Sequence, residues 1–185
     1  MEKNKLRMPF LLVLCASVLL IITFFLPYAA ATDEHREYLQ RHSEGMYAEE
    51  AGITNGEAVD ISLIEFARIY AAAIEMDIAK AISIACVVLI SLMGLTMLLC
   101  LLFSALKKPI PVIVFDCLTF GLFRLLRWDF LDRGVIPSSS YVWGVAHGVY
   151  YVSAVVLLVG AIWLLIKKVQ MRHVNKARVG TVTED

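Results

Sequence analysis

Asp116 is the residue whose type and position most demand a chemical reason. It stands inside an apolar run from Ile110 to Leu126. A carboxyl group carried into hydrocarbon is costly, so it needs a hydrogen-bond partner, water or a task. Arg124 lies in the same run and Arg127 at its edge. On a helix, Asp116, Thr119, Phe120, Phe123 and Arg127 share one side. Asp116 and Arg127 are about 16 Å apart along the axis and cannot pair. The structural expectation hydrogen-bonds Asp116 to a neighbouring helix and lets both arginines reach outer headgroups. The functional expectation lines a proton or solute path with Asp116.

His147 lies between Gly144 and Gly148 and Tyr151, in a second apolar run. Its depth matches that of Arg124. Arg124, His147 and Tyr151 could therefore cluster to hold an anionic headgroup or a small ligand; the simpler role for His147 is a bond to a neighbouring hydroxyl or carbonyl. A membrane-embedded enzyme would need a carboxylate–histidine site, for which Asp116 and His147 are the available groups. His35 and His42 sit among Glu34, Glu37 and Glu44. Seven residues apart, with no cysteine nearby, they fit no zinc pattern and are read as surface. Cys15, Cys86, Cys100 and Cys117 all fall in apolar runs, which argues for packing rather than disulfides or a metal cluster. No nucleophile-elbow, zinc-protease or phosphate-loop motif occurs. No catalytic residue, cofactor or metal is assigned, and a non-enzyme is expected.

The elements that must position these groups follow from hydropathy. Of 185 residues 59% are hydrophobic and 18% charged, and mean hydropathy is +0.73. Apolar residues come in long blocks, the mark of membrane spans. The organising stretch is 62–108. Ser62 and Glu65 form a capping box, and no proline or glycine follows until Gly94. The expectation is one helix that begins in water and ends in lipid. The fold class expected is an all-α integral membrane protein. It is a four-transmembrane-helix bundle with a helical, acidic extracytoplasmic segment between helices 1 and 2.

In chain order, 1–7 is a cytoplasmic N-terminus with Lys3, Lys5 and Arg7. Span 1 covers 8–31; its run exceeds a signal-peptide core, although Ala29-Ala30-Ala31 offers a cleavage site. The acidic segment is 32–78, with a short helix from Thr32 or Asp33 to His42 that pairs Glu37 with Arg41. From Asp33 to Asp77 it holds eleven acidic residues and three arginines. Span 2 is 79–106, continuous with the helix from about 62. A cytoplasmic turn at 107–109 leads to span 3 at 110–127. An outer loop at 128–140 precedes span 4 at 141–166, where Gly144 and Gly148 have the spacing of close helix packing. The tail at 167–185 is basic and polar.

Lysine and arginine crowd the N-terminus, the 107–108 turn and the tail. The positive-inside rule places all three in the cytoplasm of a plasma or inner membrane. The outline resembles claudins and tetraspanins in topology alone, since the loop cysteines and tryptophan of the first and the Cys-Cys-Gly of the second are absent. The function expected is an accessory or interaction subunit whose acidic segment meets a partner or ligand. The alternative is a small transporter or channel subunit using Asp116. Partners are the lipid bilayer and a membrane protein or second copy, with no nucleic acid.

Overall fold

Three helices are long and apolar enough to cross a membrane: Lys80–Ala105, Pro109–Asp132 and the segment Ala146–Met171 of a longer helix. The structure, a computed structural model, describes residues 6–180 and side chains through residue 171. Lys3 and Lys5, and the side chains of Arg172, His173, Lys176 and Arg178, lie outside the described residues. The elements in order are α1 (Arg7–Ile22), β1 (Pro27–Ala31), α2 (Asp33–Arg41), β2 (Met46–Ala48), β3 (Ile53–Thr54), β4 (Asp60–Ser62), α3 (Leu63–Glu75), α4 (Lys80–Ala105), α5 (Pro109–Asp132), β5 (Tyr141–Trp143) and α6 (Ala146–Gly180).

α1 packs against α6 and α4, α4 against α5, and α5 against α6. Val13, Leu20, Met93, Phe123, Leu157 and Ala161 fill the interior, while Leu98, Val114 and Val152 face outward in the open. Helices apolar both inside and outside suit lipid rather than water. Close approach of α1 to α6 depends on Gly160, where a Cβ would come within 3.0 Å of Val13 Cγ2.

The chain is not all-helical. β1 is the middle strand of a three-stranded antiparallel sheet ordered β4-β1-β5. Ala29 pairs with Ile61 on one side and Trp143 on the other. Ala29-Ala30-Ala31, expected inside span 1, is therefore sheet, and a cut after Ala31 would remove its central strand. α1 is correspondingly shorter than the expected span. Its 16 residues cover about 24 Å against a hydrocarbon core of about 30 Å. The periodicity of such short strands is too brief to register in sequence, and small alanines read equally well as helix.

Gly144 is corrected with it. The expected helix start at Tyr141 is β5, and α6 begins at Ala146. A Cβ on Gly144 would stand 2.1 Å from the Pro27 carbonyl oxygen, and its N–H donates to the Tyr28 carbonyl at 2.9 Å. Glycine is required there for strand contact, not helix contact. A Cβ on Gly148 would meet nothing within 4 Å, so Gly148 packs against no other helix among the described residues. Similarly, α5 runs on to Asp132 through residues expected in the outer loop, because Leu126 and Phe130 continue its buried face.

The expected continuous helix from 62 to 108 is broken. Its start is as anticipated: the Ser62 N–H donates to Glu65 Oε2 at 2.6 Å and the Glu65 N–H to Ser62 Oγ at 3.4 Å. α3 then stops at Glu75, and Asp77 adopts φ +60°. The Ile78 N–H bonds the Ala73 carbonyl at 2.9 Å and the Asp77 N–H the Ile74 carbonyl at 3.2 Å, the paired bonds of a Schellman stop. α3 folds back along α4. Tyr70 lies beside the residues that contact Cys86, whereas Ile64, earlier in α3, lines a cavity with Gly94, later in α4. The acidic segment therefore does not project as a tower. Its helices α2 and α3 flank a sheet and a hairpin made of β2 and β3.

The break yields a test by sign. A left-handed non-glycine residue costs about 1 kcal/mol, while glycine inside a continuous helix costs about 1 kcal/mol. The Asp77–Lys80 ion pair, 3.0 Å and exposed, is worth a few tenths at most. Asp77→Gly is expected to raise the thermal midpoint of the detergent-solubilised protein. A lowered midpoint would restore the unbroken helix.

Candidate functional site

Several polar groups are buried between the helices: Thr96, Cys100 and Ser104 of α4, Asp116 and Thr119 of α5, and His147, Tyr150 and Ser153 of α6. The i, i+4 spacing on α4 (Thr96, Cys100, Ser104) and i, i+3 spacing on α5 (Asp116, Thr119) set these groups on inward faces that are otherwise apolar. The Thr96 and Thr119 hydroxyls meet at 2.8 Å across α4 and α5.

Asp116 is 3% exposed, and its Oδ1 is buried without a hydrogen-bond partner. The expected bond from that oxygen to a neighbouring helix is not made. The carboxyl instead lines a groove of about 280 Å³ between α5 and α6, walled by Cys117, Phe120, Ala154, Val155 and Leu158. An unpartnered buried carboxyl oxygen is a strained arrangement that calls for a ligand, a proton or a partner group.

Toward the sheet the buried side chains become aromatic. Tyr28 on β1 is fully buried. Its ring centroid lies 4.4 Å from that of His147 and 5.7–6.1 Å from those of Phe66, Phe123, Phe130 and Trp143. Burial pushes the Tyr28 phenol far above the usual tyrosine range. Neither ring nitrogen of His147 has a partner, so the expected hydroxyl or carbonyl bond is not formed; the ring is tilted against Tyr28 and edge-on to Trp143. Tyr150 stacks on Phe123 at 3.7 Å.

The expected cluster of Arg124, His147 and Tyr151 assembles differently. It is Arg127 whose Nη1 donates to the Tyr151 hydroxyl at 3.1 Å, with its guanidinium 5.1 Å from the Trp143 ring. Arg124 stands beside the same hydroxyl but is itself exposed. His147 faces the aromatic rings. Asp116 and His147 do not form a pair: Asp116 lies opposite Ala154, seven residues or about 10 Å along α6 from His147.

Sequence reasoning missed a second polar knot. Asp129 and Arg133, expected in the outer loop, end α5 four residues apart, a spacing that places them on one face. Arg133 Nε donates to Asp129 Oδ1 at 3.1 Å and Nη1 to the Tyr70 hydroxyl at 3.2 Å, with Nη2 bonded to Asp129 Oδ2 and 3.1 Å from Cys86 Sγ. This fork joins α3, α4 and α5. Burial works against the Arg133 charge, but the bonds it donates to Asp129 and Tyr70 outweigh it and raise its pKa further. The i, i+4 spacing was the available signal; the partners from α3 and α4 were not readable. His42 is exposed as expected and Glu37–Arg41 pair at 2.9 Å, but His35, expected at the surface, is half-buried against Tyr141 with its Nε2 buried and unpartnered. Among the described residues no group of three or more histidines, cysteines or carboxylates could hold a metal.

Burial pushes the Tyr70 phenol up to about 12 from an ordinary 10, against the pull of Arg133. Between those values the unfolded chain releases the proton while the folded chain keeps it. The folded state therefore loses stability as pH rises from 10 to about 12. In thermal unfolding across that window Tyr70→Phe should lose less stability than wild type. Parallel curves would show that Tyr70 is not held in this knot.

Comparison with protein families, with curated proteins and with solved structures found no match to this chain.

Proposed function

We propose that this is a non-enzymatic membrane protein that crosses the bilayer four times, keeps both termini in the cytoplasm and presents an acidic cap to a partner. The fourth crossing is α1 with the turn after it. α1 starts beside Lys107 and Lys168, and the chain reaches the sheet at Pro27, so it covers the same height as α6 in the opposite direction. Lys107, Lys108 and Lys168 then mark the cytoplasmic end.

The observation that carries the partner reading is the β2–β3 hairpin. Met46 is 48% and Tyr47 40% exposed, and Glu44, Glu49 and Glu50 around them are exposed as well. Aromatic and methionine side chains inside a charged rim are the make-up of a recognition surface. The hairpin is firmly seated: Arg68 of α3 donates to the Ala51 and Gly52 carbonyls at 2.8 and 3.1 Å. A partner with a basic rim and an apolar centre fits it. Joint Glu44→Gln, Glu49→Gln and Glu50→Gln substitution should cut recovery of a co-purifying partner from native membranes about tenfold through slower association, at unchanged thermal stability. Undiminished recovery would reject the cap as the contact.

The unpartnered Asp116 oxygen supports a second reading, a small transporter or channel subunit in which Asp116 lines a path for a proton or small solute. Asp116→Asn should abolish flux into proteoliposomes while preserving the folded protein. Wild-type flux in that variant would remove this reading.

A further inference from the structure

The groove beside Asp116 opens outward, between α5 and α6. Two of its walls, Phe120 and Val155, are 40% and 58% exposed. Val152 and Val159, a turn of α6 to either side of Val155, are exposed with them. The carboxyl stands seven residues into α5 from Pro109, about 10 Å along the axis. At that depth a helix that crosses a bilayer is surrounded by hydrocarbon. An occupant of the groove therefore arrives from within the membrane.

Hydrocarbon does not meet the demand of this groove. Asp116 is nine-tenths buried and more, and its Oδ1 makes no hydrogen bond. Among the described residues no charged group acts on it. The side chains of α6 are described for thirteen residues beyond Leu158 in the groove wall, about 20 Å, and Oδ1 bonds none of them. Small residues rim the same face. Cys117 and Gly121, four apart on α5, and Gly148 on α6 are exposed. A Cβ on either glycine would meet nothing within 4 Å. Small residues on a lipid-facing surface let the backbone of another helix come close.

We propose that this groove seats a transmembrane helix of another membrane protein, whose lysine or arginine enters it and pairs with Asp116. A carboxylate and a basic side chain are each costly when carried alone into hydrocarbon, and pairing relieves both costs. An acyl chain brings no donor. A second copy of this chain brings no cation: a twofold axis along the bilayer normal sets each groove against residues of its own depth. Those are Cys117, Phe120, Val155, Leu158 and a like-charged Asp116. The groove, about 280 Å³, is smaller than the roughly 300–1,000 Å³ usual for whole small ligands, and one long side chain suits it. The proposal rests on the reading that these helices cross a bilayer and extends partner binding from the acidic cap to the membrane interior.

The test reconstitutes the full chain in phosphatidylcholine vesicles with a designed transmembrane peptide of leucine and alanine that carries one lysine at the depth of Asp116. Fluorescence energy transfer between labelled peptide and labelled protein reads association. The lysine peptide should associate about tenfold more tightly than the same peptide with leucine at that site. Tenfold corresponds to about 1.4 kcal/mol, within the range of about 1–2 kcal/mol for polar pairs between model membrane helices. Asp116→Leu should abolish the preference. Gly121→Leu, on the open side of α5, should weaken association at an unchanged thermal midpoint in detergent. Asp132→Asn, at the far end of α5, should change nothing. Equal association of the two peptides, a preference that survives Asp116→Leu, full association in Gly121→Leu, or an equal loss in Asp132→Asn would each overturn the proposal. An asparagine peptide that binds as tightly as the lysine peptide would overturn the basic partner in favour of an uncharged donor. Transfer between two labelled copies of the protein that Asp116→Leu abolishes would overturn it in favour of self-association. Failure of the wild-type chain to float with the vesicles would instead refute membrane crossing itself.

Discussion

The Tyr28 ring is the contact on which the rest of the structure depends. It extends from the middle strand of the sheet and is enclosed by rings from α3, α5, β5 and α6. Its hydroxyl is buried without a partner, a cost of about 1–3 kcal/mol. Five ring contacts at about 0.5–1.5 kcal/mol each, beyond the area they bury, outweigh that cost. The strand can reach this depth because its own backbone is hydrogen-bonded on both edges, to β4 and β5. The sheet thus acts as a lid pinned to the helices through one side chain.

Helix ends are the second constraint. α3, α4 and α5 all stop in the same way, with a left-handed residue at Asp77, Lys107 and Gly134 and the paired backbone bonds that satisfy the last carbonyls. The last carbonyls of a helix have no partner within it, and these bonds supply one. Two of the three stops are built without glycine, so backbone hydrogen bonding there outweighs about 1 kcal/mol of local strain. The turns created in this way are what bring Tyr70 to Arg133 and Lys107 to Phe10.

Polar groups were legible in the sequence as individuals, not as partners. Asp116 was identifiable as an intramembrane carboxyl because its neighbours are apolar, and it is indeed buried. That Oδ1 finds no donor depends on Ala154, Val155 and Leu158 facing it, residues 38 to 42 positions away. Depth alone groups Arg124 with His147 and Tyr151 in the sequence, whereas the helical phase that turns Arg127 onto the Tyr151 hydroxyl is set by packing. Asp129 and Arg133 read as loop residues, since charged and aromatic residues before Gly134 have the composition of a turn and the burial of Phe130 is set only by packing.

By itself the sequence determined three membrane-length apolar helices, the capping box at Ser62, the short acidic helix after Thr32 and the isolated carboxyl in the third apolar run. Each of these is set by local hydropathy or by hydrogen bonds within four residues, which the order of residues specifies directly. Only the tertiary structure decided that α3 folds back on α4, that three alanines form a central strand and that Gly144 serves that strand. Those outcomes rest on contacts between segments far apart in the chain, where short polar or small-residue stretches fit more than one local form and packing makes the choice.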